Sequence, residues 1–133
     1  MRYRHAELRL RSAEIRAREL LRSCLTPSQW DDYVHHDCFL VRGGTTGRPY
    51  RIHRGAVMNV EPLNEDGSST GQRLCFAPVG GLPMGDVLVG QKFALEGMEE
   101  QVLTIANPQW GHVRLAARDT AQSYRGVGMR PRG

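Results

Sequence analysis

The sequence predicts an α+β fold: two N-terminal helices, a small antiparallel β-meander of about four strands, and a broken C-terminal helix packed on the sheet. Three observations lead there. Apolar residues in the first 24 positions recur at helical spacing, the period shortens to two at Cys38, and helical spacing returns after Asp86.

The first helix is expected over residues 3–23. Ala6, Leu10, Ala13, Ala17, Leu20 and Cys24 follow one another at intervals of 4, 3, 4, 3 and 4, the stripe of a helix with one buried face. Glu7 with Arg11 and Glu14 with Arg18 stand at i,i+4, where such pairs add a few tenths of a kcal/mol. A second row holds the same spacing on another face: Arg4, Leu8, Arg11, Ile15, Arg18 and Arg22. A helix buried on one side has no need of Leu8 and Ile15 there. This row is therefore the expected partner-binding surface. The bland account is Arg stems lying beside two stray apolar residues.

A second helix is expected over residues 27–36. In "LTPSQW", Thr26 suits the N-cap, Pro27 the first helical position and Gln29 the third, which makes a capping box. Leu25 and Trp30 suit the hydrophobic staple that accompanies it. The helix should end near Asp37, with a tight corner at Leu25.

Strands follow. "CFLVRG" and "YRIHRG" flank the Gly-rich loop "GTTGRP", and "AVMNVEPL" and "QRLCFAP" flank the polar turn "NEDGSSTG". Loops this short require antiparallel pairing. "VGGLPMGD" then leads into a helix with Asp86 as N-cap and Val87, Leu88, Gln91, Ala94 and Leu95 at helical spacing. Gly97 should break it, because Gly costs about 1 kcal/mol inside a helix. "MEEQVLTIAN" restarts with Glu99 and Glu100 where the helix dipole favours acids. "GHVRLAAR" suits a last strand, and the remainder shows no period. The expected organisation is an Arg-rich helix at 1–23, a compact domain at 24–117 and a basic flexible tail at 118–133.

Charge divides the chain the same way. Residues 1–23 hold seven Arg and three Glu, net +4. Residues 24–113 are net −4, and residues 114–133 are again net +4. Basic ends around an acidic middle fit nucleic acid, an acidic partner, or arms that fold back on the body. The 133 residues, 40% hydrophobic, suffice for one domain with a core. No apolar run reaches the roughly 20 residues of a membrane helix, so no membrane partner is expected. Three cysteines and no secretory leader point to a cytoplasmic protein, or a virion-associated one if phage-encoded, without a disulfide framework.

Residues 18–107 carry "LLRSCLTPSQW", "YRIHRG", "NVEPL", "RLCFAPVGGLPMGDVLVGQKFALE" and "IAN". In these segments the chain resembles a short domain scattered through GC-rich bacterial and phage genomes. The resemblance implies one compact module with basic additions, and no activity.

Motifs for chemistry are weak. "HHDC" gathers His35, His36 and Cys38, but structural zinc sites present two ligand clusters and only one is here. No nucleophile elbow, P-loop ending or dinucleotide fingerprint occurs, so neither an enzyme nor a cofactor is expected. The case for nucleic acid rests on the first helix and on Arg48, Arg51, His53 and Arg54 around the hairpin, with Arg51 and His53 on one side of a strand. The expected function is a non-enzymatic protein-interaction or assembly module, self-associating or docking on another protein, carried by a phage or other mobile element. The alternative is a nucleic-acid-binding accessory protein.

Overall fold

The computed structural model of the protein describes residues 2–55, 57–76 and 81–106. The expected strand "GHVRLAAR" and the tail at 118–133 lie outside them. The fold is α+β, with four helices and one three-stranded antiparallel sheet among the described residues.

Helix α1, Arg2–Cys24, and helix α2, Pro27–His36, meet at Leu25, which is buried. The capping box of α2 is present: Gln29 N donates to Thr26 Oγ1 at 3.1 Å, and Thr26 N donates to Gln29 Oε1 at 3.0 Å. The helix ends at Asp37, whose left-handed φ of 57° turns the chain into the sheet. Strands β1, Cys38–Arg42, β2, Pro49–His53, and β3, Val60–Pro62, lie in the order β1-β2-β3. Phe39 faces Ile52, Val41 faces Tyr50, and Ile52 faces Val60 across the ladders. These five side chains are buried and form the inner face of the sheet. Gln29 Nε2 also donates to the Leu40 carbonyl of β1 at 2.6 Å.

Among the described residues of the expected fourth strand, 72–76, pairing is reduced to one bridge, between Leu74 and Val60. The reason lies at Pro62. It has no N–H to offer a further strand, and its carbonyl accepts the Thr70 hydroxyl at 2.6 Å. The Phe76 carbonyl, on the segment that would have paired, accepts Gln91 Nε2 at 2.6 Å. Side chains take the groups that a ladder needs.

Helix α3, Met84–Gly97, crosses the inner face, and helix α4, Glu99–Ile105, follows after Met98. Helix α3 begins at Met84, and Asp86 lies inside its first turn, not at the N-cap expected for it. No side chain of its own caps α3. The Glu14 carboxylate of α1 does so instead, accepting from Met84 N with its two oxygens at 3.2 and 3.3 Å. One turn on, a Cβ on Gly85 would collide with the Ala17 carbonyl, so the two backbones touch there. On the far side of α3, buried Gln91 and Asn59 exchange amide hydrogen bonds of 2.8 and 2.9 Å.

The buried stripe of α1 differs from the expected one. Ala17 and Leu21 are buried, and Ala13 and Cys24 are half-buried. Leu10 and Leu20 are exposed, and every residue from 2 to 12 is exposed. The helix expected as a separate basic segment thus gives its second half to the core, while its first three turns stand clear of the body.

The contact at Gly85 and the open space around Gly97 predict opposite responses to the same change. Gly85→Ala should lower stability by about 1–3 kcal/mol through overpacking. Gly97→Ala, with nothing within 4 Å and no left-handed φ, should be neutral or stabilising by up to about 1 kcal/mol. Urea midpoints of the two variants check this.

Candidate functional site

Three places carried functional expectations, and the structure treats each differently. The first is the hairpin. Arg51 and His53 do lie on the same side of β2, opposite the core, but Glu61 of β3 lies between them. Its Oε1 is 3.0 Å from His53 Nε2 and 3.4 Å from Arg51 Nη1, and its Oε2 accepts the Ser69 hydroxyl. Burial by itself would raise this carboxyl. The bonds from Ser69 and His53 and the nearby Arg73 charge outweigh burial and hold it below its ordinary 4.5. Arg54 faces Asp37 at 3.7 Å instead of joining the group. Arg48 Nε donates to the Leu63 carbonyl at 3.1 Å. Glu61 and Asp37 thus offset Arg51, His53 and Arg54 in the expected basic patch, while Arg48 bonds a neutral carbonyl.

The second is the segment "HHDC". His35 Nδ1 lies 2.8 Å from the Asp31 carbonyl and 3.3 Å from its carboxylate. His35 and His36 project from the last turn of α2 with ring centroids 6.4 Å apart. Cys38 sits opposite His53 in the ladder. Burial pushes the Cys38 thiol up, against the pull of Arg51. A thiol held protonated is a poor nucleophile and a poor metal ligand. Among the described residues no three His, Cys, Asp or Glu side chains converge on a point that would hold a metal ion.

The third is α1. The six-residue row is split by the structure. Arg18 stacks on Trp30 at 5.0 Å from the ring centroid, and Arg22 on the same ring at 5.5 Å. Both guanidinium groups thereby serve the corner between α1 and α2, each contact worth about 0.5–1 kcal/mol at such a site. Arg22 also borders a shallow groove of about 360 Å³ that Leu25, Trp30, Val34 and His35 line. Arg4, Leu8, Arg11 and Ile15 remain unengaged, with Leu8 57% and Ile15 58% exposed.

Two exposed features were not anticipated. Tyr3 and Leu10 lie on the continuation of the core stripe, past the edge of the body, at 86% and 69% exposure. The length of the stripe was legible, but where the body stops beneath it was not. At the other end of the fold, Phe93, Met98 and Ile105 are exposed beside Glu96 and Glu100. Their signal was present in the sequence as apolar residues off the Val87, Leu88, Gln91 and Leu95 face.

No family model matches the chain, and neither a curated protein nor a solved structure matches it. No described helix is long and apolar enough to cross a membrane.

The Glu61 cluster predicts an acid response with a definite sign. A carboxyl held below its ordinary value stabilises the fold above about pH 4.5 and loses that contribution as pH falls through the folded value. Glu61→Gln should therefore flatten the fall in stability on the acid side of pH 4.5. Thermal melts from pH 7 down to pH 3 read this out, and an unchanged acid slope would remove Glu61 from the account.

Proposed function

We propose that the protein is a non-enzymatic docking module whose contact element is the free half of α1. One observation carries the proposal: residues 2–12 form helix in which every residue is exposed, yet they and Ile15 display large apolar side chains. A helical extension of three turns is marginal in water without packing. Exposed Leu8, Leu10 and Ile15 give a partner something to bury, and the arginines beside them set charge preference. The anchoring of Ala17 and Leu21 in the core holds the projecting turns at a fixed angle.

A nucleic-acid role draws on the same arginines, but it needs more than one helix to follow a phosphate backbone. Glu61 and Asp37 offset the hairpin cations that would have extended the track. A phage or other mobile element is the setting that the sequence resemblance suggests for such a module.

The test is a pair of charge insertions on exposed positions. Leu8→Glu with Ile15→Glu should leave the denaturation midpoint nearly unchanged, within about 0.5 kcal/mol, because neither side chain packs on the body. The same change should abolish any complex the wild-type protein forms with itself or with proteins of its host. Tagged protein purified from its host, compared by light scattering and mass spectrometry with the variant, checks this. An identical set of complexes in both would end the proposal.

A further inference from the structure

We infer that the occupant of the free α1 turns is a second copy of this chain, bound head to tail at the exposed α3–α4 face. The inference rests on the docking role of α1 given above and adds the identity of the partner surface.

The two faces match in chemistry. Residues 2–12 carry four Arg and one Glu among exposed Tyr3, Leu8 and Leu10. Of the acids at 84–105, Asp86 lies in the first turn of α3 and Glu99 is buried, which leaves Glu96 and Glu100 exposed at the far end, with one lysine in the same segment. That lysine, Lys92, is spent inside the fold: it is 6% exposed and bonds Glu96 at 2.7 Å. Exposed Glu100 has no cation on it among the described residues. At this end of the fold Phe93 and Met98 are each 52% exposed, and Ile105 on α4 is 75% exposed. One face is apolar with a basic border, and the other is apolar with an acidic border.

The two faces cannot satisfy each other within one chain. Glu14 and Ala17 meet α3 at Met84 and Gly85, its first turn. The free turns precede that crossing. Phe93, Glu96 and Met98 lie toward the opposite end, about 12 to 20 Å along the axis from Gly85. A symmetric pairing of two α1 helices would set arginines against arginines. Pairing α1 with the α3–α4 face of another copy brings opposite charges together and buries both apolar sets. Such a contact is heterologous, so each added copy leaves one free donor and one free acceptor.

Complementary charge reversal in the full chain tests this. Arg4→Glu with Arg11→Glu reverses the donor. Glu100→Arg with Gln101→Arg reverses the acceptor at exposed positions and leaves the Lys92–Glu96 pair intact. Sedimentation velocity at low salt should show wild-type protein forming a concentration-dependent series of species rather than stopping at a dimer. Each variant alone should associate about tenfold more weakly or worse, and an equimolar mixture should recover most of the wild-type association. Circular dichroism and urea midpoints keep misfolding apart from lost contact. A wild-type protein that is monomeric at all concentrations overturns the inference, whether the acceptor is empty or covered by the basic residues after 106. So does a saturating dimer, or an acceptor variant that associates as wild type does. If the monomer still loses a complex with another protein on Leu8→Glu and Ile15→Glu substitution, the docking role of α1 survives and only the second copy is excluded.

Discussion

The fold turns on one buried carboxylate. Glu99, 1% exposed at the start of α4, accepts from the backbone N–H groups of Thr45 and Thr46, from the Thr46 hydroxyl, and from the Tyr50 hydroxyl at 2.6 Å. A buried polar group is costly unless donors within the protein replace its water, and here four do. Those donors come from the hairpin loop between β1 and β2 and from the sheet interior. The loop must therefore come close, and it does: Gly44 N donates to the Leu95 carbonyl at 2.9 Å. A Cβ on Gly43 would collide with the Glu99 carboxylate, and one on Gly44 with the Glu96 carbonyl. Hairpin, α3 and α4 thus share one polar anchor, and Phe93, Met98 and Glu100 are displayed around it.

A second anchor works at the other end of α3. Glu14 caps the helix from outside, and Ala17 and Gly85 let the two backbones touch. Side chains this small leave little room for α1 to rock on α3. The stacking of Arg18 and Arg22 on Trp30 ties the same helix to α2. What leaves the body at Ala13 is consequently a strut with a set direction, not a loose arm. Two surfaces at opposite ends of α3 are each held by a close backbone approach.

Much of this architecture was legible in the residues, and the exceptions have physical causes. The α2 helix was readable to its ends because Thr26, Pro27 and Gln29 act within one turn of chain. The hairpin was readable from period and glycine. The fourth strand was overestimated because Pro62, Thr70 and Gln91 compete for its backbone partners across the fold, which no local pattern records. The α1 stripe was read with Leu20 in place of Leu21, since adjacent leucines leave the phase of a helix open by one residue. Of the site, the exposed Leu8 and Ile15 were visible as a surplus over one buried face. The split of their row, with Arg18 and Arg22 drawn to Trp30, depended on a corner that forms only when α2 folds back. Glu99 was read as an ordinary first-turn acid, because nothing local says that Tyr50 and Thr46 will converge on it. The Arg51–His53 pair was placed correctly on one side of the strand, but its countercharge came from Glu61 on a strand whose register was not known.

Gln29 has a consequence beyond capping. Among the described residues β1 is paired on one side only, and strands with an open side are the usual seeds of runaway pairing between chains. The Gln29 amide already fills a carbonyl of that open side, at Leu40, while its oxygen closes the helix cap. A stranger's backbone approaching β1 must first displace a bond that also holds α2. Amyloid-like stacking is thereby discouraged by the same residue that starts a helix.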